Sequence, residues 1–551
     1  MDMKKIQRIF CVTMFVFALL LHGGNDRAWG APVCLEQARR VVENWLTFTP
    51  CPLDTPMGCR IDEIIHYKGG PYGDAGYYVA FLAPCGWVAV PADDTYEPIM
   101  AFGGDKITEK EWRDSLVSIL MCTNIEQHYS TDAALCARRD KPFYSKLLKL
   151  GVFKSQPNVA NKRWNTLLSP SQRNRHNDKV RTASDVEEYE AIKENVIVSP
   201  LLGESDWGQD CLRKYVSYKE VSQDAEGKVY EPIPFYNYYN FYRGKSFSVG
   251  CGPLAVAMVM RYFKYPETAP SSGDVFEFHY DDKGNITGTL MLLPQCLLSG
   301  NSIDIFPKQF SRIIGGSKPN GGYDWDIFRS SYRYDDFAGK LTHNTDAERA
   351  TAFANKSSVL ETQEDRMRNE IAALLHDIGM SGGAVYNFTG DPFLHGGIGT
   401  QIRFLKCALE QVFHYQSVQQ WYPPRLETVR DLLPTYILVH DAILFPNLDD
   451  GRPVVWQLNF KWTGMTGGLN HITLIDGYAD QLYHNNGFAR YLHVNWGLSG
   501  KFNTLWINSE KIFNTSTTIE DLRSMVSADI CISSNELDSV YLYNIMSDDH
   551  G

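Results

Sequence analysis

The sequence lacks several features that would point to other classes of protein. It has no C-x-x-C pair and no Cys/His cluster at zinc spacing, so a structural metal is not expected. It has no H-E-x-x-H and no Walker loop, which leaves metallopeptidase and nucleotide chemistry without support. Positive charge is in short supply: 53 Lys and Arg stand against 65 Asp and Glu, a formal net charge of −12. That balance argues against nucleic acid and against an anionic membrane surface as partners. After the first thirty residues no run is long and apolar enough to cross a bilayer. What remains is ordinary globular composition, 44% hydrophobic and 21% charged, over 551 residues, a length that implies more than one domain.

Residues 1–30 read as a signal peptide. Lys4, Lys5 and Arg8 form a basic head, residues 9–21 an apolar stretch, and Ala28-Trp29-Gly30 a small-residue cleavage site. The protein is therefore expected to be exported, secreted or periplasmic, with no further membrane attachment. Of the 12 cysteines, Cys11 leaves with that segment. The remaining number is odd, so at least one thiol stays unpaired or is shared between chains. Disulfides among the six cysteines from Cys34 to Cys136 are allowed, with no pairing legible.

The candidate for the free thiol is Cys251, in SFSVGCGPLAVAMVMRYFKYP. Pro253 suits the first turn of a helix, where its missing N–H is not needed. The spacing predicts a helix from Cys251 to about Phe263, and Leu254 to Met260 has no polar face, so it should be buried all round. A thiol at a helix N-terminus meets the positive end of the macrodipole, which favours thiolate. Flanking glycines let backbone and substrate approach closely.

Upstream, Leu35 to Phe48 has the spacing of an amphipathic helix, ended by Pro50 and Pro52. Tyr77 to Leu82 and Trp87 to Val90 read as paired strands around Ala83-Pro84-Cys85-Gly86, with Ile99 to Phe102 as another short run. This predicts a small, separable α+β unit over 31–136. Residues 137–192 are rich in Lys, Arg, Asn, Ser and Gln and read as an exposed, partly disordered connector open to proteolysis. Downstream, helices are expected over Gln363 to Ile378, capped by Gly379, and over Ile402 to Phe413. Strands follow at Pro453 to Leu458, His471 to Ile475, Tyr491 to Trp496 and Thr504 to Ile507. Helices early and strands late fit an α+β fold with a central helix against a twisted antiparallel sheet.

A nucleophilic cysteine needs a base. His471 follows the glycine-rich stretch GMTGGLN and opens the strand ITLIDGY, so it can face a cleft. Asn495 lies 24 residues on, in YLHVNWG; its amide oxygen can accept the second imidazole N–H, and Trp496 can shield that bond. His493 is a rival base on the same strand face as Asn495. An oxyanion needs donors as well. The Cys251 N–H supplies one, and Gln209, in GESDWGQD, is the candidate for the other.

Gln209, Cys251, His471 and Asn495 stand in papain-like order. The motifs VSPLLGESDWGQ, VGCGPLAVAMVMRYFKYP, GGYDWDIF, DDGRPVVW, NHITLIDGY and YLHVNWG resemble the streptopain family of papain-like cysteine peptidases, from about Val196 to Ile507. GWVAVPADDTYEPIMAFGG is similar to that family's inhibitory prodomain. The resemblance implies a two-lobed papain-like domain over 193–551, with Cys251 as nucleophile, His471 as base and Gln209 in the oxyanion hole. Asn495 and Trp496 would orient and cover the histidine. It also implies an endopeptidase made as a zymogen, with no cofactor. Its partners would be protein or peptide substrates and its own prodomain as intramolecular inhibitor. Departures from the family pattern include Asn470 before the histidine and Gly497-Leu498-Ser499-Gly500 after Trp496. A catalytically weak binding relative, or a transamidase using the same Cys/His/Asn set, would carry the same residues.

Overall fold

The structure is a computed structural model. It describes residues 31–68, 76–122 (except 114, 116 and 119), 159–168, 192–212 (except 204), 232–242, 245–268, 270, 276–280 and 286–291. Further on it describes 313–349 (except 344 and 346), 362–382, 385–386, 397–398, 402–415, 417–421, 444–460, 469–484, 487–497, 502–503, 505–509, 526–532 and 539–544. The expected signal peptide, most of the connector and the glycine-rich stretch before Leu469 lie outside the described residues.

The main helices are α1 (Leu35–Phe48), α2 (Val159–Leu168), α3 (Cys251–Phe263), α4 (Gln363–Ser381) and α5 (Ile402–Gln411). One sheet runs through the molecule. Its strands are β1 (Arg60–Lys68), β2 (Gly76–Ala83), β3 (Trp87–Pro91), β4 (Ala101–Gly103), β5 (Ile192–Val198) and β6 (Ser417–Trp421). The later ones are β7 (Val454–Phe460), β8 (Leu469–Tyr483), β9 (Phe488–Asn495), β10 (Leu505–Asn508), β11 (Val526–Ile532) and β12 (Ser539–Asn544). The spatial order is β1-β2-β3-β4-β10-β9-β8-β7-β11-β12-β6, with β5 also on β8. All these pairs are antiparallel except β6 with β12. The α+β class expected from the sequence is thus the class observed, with the cysteine-bearing helix packed on an antiparallel sheet.

Side chains alternate across the sheet, as strand geometry requires. Tyr77, Val79 and Phe81 enter one core with Leu492, Val494 and Ile507, while Tyr78, Ala80 and Leu82 enter another with Tyr491 and Trp506. A third core gathers α3, α4 and α5 against Ile472 and Leu474 of β8. Every residue from Leu254 to Met260 is at most 1% exposed, so this stretch of α3 is buried all round as its composition predicts. Each such aliphatic side chain contributes about 1.5–3 kcal/mol. Beyond the sheet order, β8 has a register shift between Ile475 and Gly477; its first part lies against β7 and its second against β5.

Two expectations need correcting, and one pairing joins the N-terminal strands to the rest. β4 of the N-terminal unit pairs with β10, Phe102 opposite Trp506 and Ala101 opposite Ile507, so its strands continue the same sheet. The connector contains an ordered helix, α2. Its Trp164 indole donates to the Tyr96 carbonyl at 2.8 Å, and Arg163 pairs in the interior with Glu97 while donating to the Phe488 carbonyl. Its polar composition hid this because the burial comes from tertiary contact. Gly379 does not end α4; the helix runs to Ser381, and Gly382 caps it by donating to Ile378. A side chain at Gly382 would meet Leu405 at 2.8 Å, so packing against α5 decides where the cap falls. Of the N-terminal cysteines, Cys34, Cys51, Cys59 and Cys85 are free.

Candidate active site

Cys251 is the first residue of α3. The preceding Gly250 has φ +88°, a conformation that favours glycine, and it turns the chain into the helix. The sulfur lies against β8: the N–H of Ile472 donates to Cys251 Sγ at 3.3 Å. Ile472 directly follows His471, so helix and strand bring the thiol beside the residue that carries the imidazole. Cys251 keeps part of its surface open to solvent. Dense packing around the sulfur nevertheless pushes its pKa up, against the N–H groups of Ile472, Gly252 and Cys251 itself, which pull it down. Burial outweighs the helix terminus here, the reverse of what the helix position alone suggests.

His471 is 3% exposed. Its Nε2 lies 3.1 Å from the carbonyl oxygen of Trp496, and the two rings stack obliquely at 5.1 Å. A carbonyl only accepts, so Nε2 carries the proton and Nδ1 is left with the lone pair a base needs. Burial lowers its pKa to about 4, against the small upward pull of that carbonyl.

Asn495 does not orient the imidazole through its amide. Its Nδ2 donates to the Ser205 carbonyl at 2.9 Å and its Oδ1 accepts from the Gly497 N–H at 3.1 Å. The orienting acceptor is the Trp496 main-chain oxygen, which has no signature in a sequence. Asn495 acts one step away, by fixing the turn that presents that oxygen. The turn also needs Gly497, at φ +68°, because a side chain there would stand 2.9 Å from Leu254 of α3. Trp496 is fully buried beside His471, as expected of a cover. His493 is excluded as the base: its Nδ1 pairs with Asp476 at 2.6 Å, and its ring packs on Trp506 at 5.0 Å.

Gln209 approaches from the strap that precedes α3. Its carbonyl accepts from the Val249 N–H at 3.0 Å, and its Oε1 takes the Ser248 hydroxyl at 3.4 Å. With the amide oxygen engaged, its NH2 is the group left for a substrate. The structure therefore gathers Gln209, Cys251, His471, Asn495 and Trp496 around the start of α3. Sequence reasoning missed Ser248, Ser205 and the Ile472 N–H; only the nearness of Ser248 to Cys251 offered any signal. Among the described residues no three His, Cys, Asp or Glu side chains gather as a metal site.

A thiol at the start of a buried helix, its sulfur against the strand that carries a proton-accepting imidazole, is the layout of a papain-like cysteine peptidase. Residues 310–506 match the Peptidase C10 family, the family of streptopain, so the resemblance noted in the sequence is borne out over that stretch. The matched stretch holds His471, Asn495 and Trp496 and stops short of Gln209 and Cys251. Among solved structures, a fragment of Prevotella intermedia prointerpain A is similar at 15% identity, over 82% of this chain and 93% of that one, with a TM-score of 0.37. The active wild-type interpain A cysteine protease of the same organism is similar at 18% identity, over 58% of this chain and 92% of that one, with a TM-score of 0.29. No curated protein matches the chain.

Proposed function

We propose that the protein is an exported cysteine endopeptidase made as a zymogen. The observation that carries this reading is the contact of Cys251 Sγ with the N–H next to His471, whose Nδ1 is free to accept a proton. In the reaction His471 takes the thiol proton and the thiolate attacks the peptide carbonyl. The oxyanion is held by the Cys251 N–H and the Gln209 amide. His471 then gives its proton to the leaving amine, and water, deprotonated in turn by His471, releases the acyl group.

The zymogen reading is supported by where the N-terminal region packs. Trp87 and Trp112 both pack on Phe502, at 6.0 Å, in the segment that joins Trp496 to β10. In the full chain both reacting groups are held toward their neutral forms. Loosening that segment would open His471 to water and substrate and allow the thiolate–imidazolium pair to form.

The test compares the full chain with its Cys251→Ser variant under reducing, mildly acidic to neutral conditions. The wild type is expected to shorten within the connector and to degrade an unfolded protein, and the variant to do neither. A wild type that stays inert after an added protease has digested the N-terminal region away would overturn the reading. Transfer of the acyl group to an added amine in preference to water would replace it with a transamidase.

A further inference from the structure

The strap from Ser205 to Asp210 links Asn495 to the segment that precedes α3. The Ser205 carbonyl accepts from Asn495 Nδ2 at 2.9 Å and from Asn503 Nδ2 at 2.8 Å. Gln209 accepts from Val249 and Ser248, and the Asp210 carbonyl from the Tyr236 N–H at 3.1 Å. Between these ends the strap is fastened to the turn 329–332. The Asp206 N–H donates to the Ser330 carbonyl at 2.9 Å, and the Trp207 indole to the Arg329 carbonyl at 2.8 Å. The Asp206 carboxylate takes the other two bonds: Ser331 Oγ donates to Oδ2 at 2.5 Å and the Tyr332 N–H to Oδ1 at 3.2 Å. Both its oxygens are met by donors; an amide can keep both bonds, its oxygen accepting from the Tyr332 N–H and its NH2 donating to the rotatable Ser331 hydroxyl, whereas an alanine loses both.

The turn is itself rigid. The Arg329 N–H donates to the Tyr332 hydroxyl at 2.9 Å, and the Tyr332 ring packs on Phe235 at 5.0 Å. Trp207 is fully buried against Phe328, so it anchors the strap whatever stands at 206. What Asp206 adds is the rotation and height of the residues just beyond the anchor.

We propose that Asp206 is a positioning residue for Gln209, clamping the strap to the turn 329–332 so that the glutamine amide stands where an oxyanion would form. The inference rests on the reading of Gln209 as an oxyanion donor. Asp206 stands inside the motif VSPLLGESDWGQ, but its bonds to Ser331 and Tyr332 are invisible before the chain is folded.

The experiment uses Asp206→Asn, Asp206→Ala, Gln209→Ala and the Asp206→Ala/Gln209→Ala double variant, all in the same processed form. It reads kcat and KM on a peptide amide, affinity for a peptide aldehyde, and the rate of Cys251 alkylation by iodoacetamide. The aldehyde adduct develops an oxyanion; alkylation does not. Losing an oxyanion donor outright costs about 100-fold or more in kcat, so misplacing one should cost at least about tenfold. Asp206→Ala is expected to lose that much in kcat and in aldehyde affinity, with KM within about threefold and alkylation within about twofold, and Asp206→Asn, which can keep both bonds, to lose less. The double variant should be no slower than Gln209→Ala alone, because both changes remove the same contact. Asp206→Ala keeping kcat while Gln209→Ala loses it would overturn the proposal alone. So would losses that multiply in the double variant, or alkylation falling along with kcat. Full kcat in Gln209→Ala would remove the oxyanion reading, and this proposal with it.

Discussion

With the His471 imidazole down at about 4 and the Cys251 thiol above its usual range, neither group carries charge around neutral pH in the full chain. Burial is the larger cause at both residues, and it acts in opposite directions because one group is charged when protonated and the other when deprotonated. The sign fixes an outcome. Alkylation of Cys251 by iodoacetamide needs thiolate, and a neutral imidazole cannot hold one. In the intact chain the alkylation rate should stay low from about pH 5 to 7 and climb steeply only above about pH 9. Once the N-terminal region is gone, a thiolate–imidazolium pair should raise the rate at about pH 6 to a plateau. A plateau already present in the intact chain would mean that the pair forms without processing. The cysteine and histidine were legible because each sits at a marked point, a Gly-Cys-Gly-Pro helix start and a strand behind glycines. The acceptor for His471 was not, because a main-chain oxygen has no residue type.

Among the elements, α1 and α3 could be bounded from the sequence because their signals are local: apolar spacing closed by prolines in one, a first-turn proline and an unbroken apolar run in the other. The end of α4 and the existence of α2 depend on what packs against them. In α2 the decisive residue is Arg163, at the centre of a buried pair with Glu97. Its other contacts reach the Phe488 carbonyl at the start of β9 and the face of Tyr483 on β8. Removing one partner of a buried ion pair costs about 3–5 kcal/mol, since the other charge stays inside a medium that solvates it poorly. Arg163→Ala should therefore lower stability toward urea by about that amount. Lys162→Ala, one residue away on the exposed side, should change it by less than about 0.5 kcal/mol. Equal, small losses in both would mean that α2 is not fastened to the sheet.

For the molecule as a whole, the sequence suggested a small N-terminal unit, and the sheet order joins its strands to those of the rest of the chain. Strand pairing is set by partners far apart in the chain, so no local pattern near Ala101 announces that it lies opposite Ile507. The junction is deep. The Asn508 N–H donates to the Met100 carbonyl at 2.8 Å, the Tyr491 hydroxyl to the Ile99 carbonyl at 3.1 Å, and the Trp506 indole to Thr55 at 3.0 Å. Trp45 of α1 donates to Gln481 of β8, whose own amide reaches Glu194 of β5. Trp506 and Ile507 are at most 2% exposed, and parting the two halves would uncover them together with the open edge of β10. α2 belongs to the N-terminal side of any cut made between residues 169 and 191 and grips both halves. A single cut there should thus leave the two pieces associated: they should elute as one particle in size exclusion at neutral pH and separate only in denaturant. Activation would then require the N-terminal piece to be digested further, with peptidase activity lagging behind the first cut. Pieces that separate on their own at neutral pH, with activity appearing at the first cut, would show that the shared sheet does not hold them.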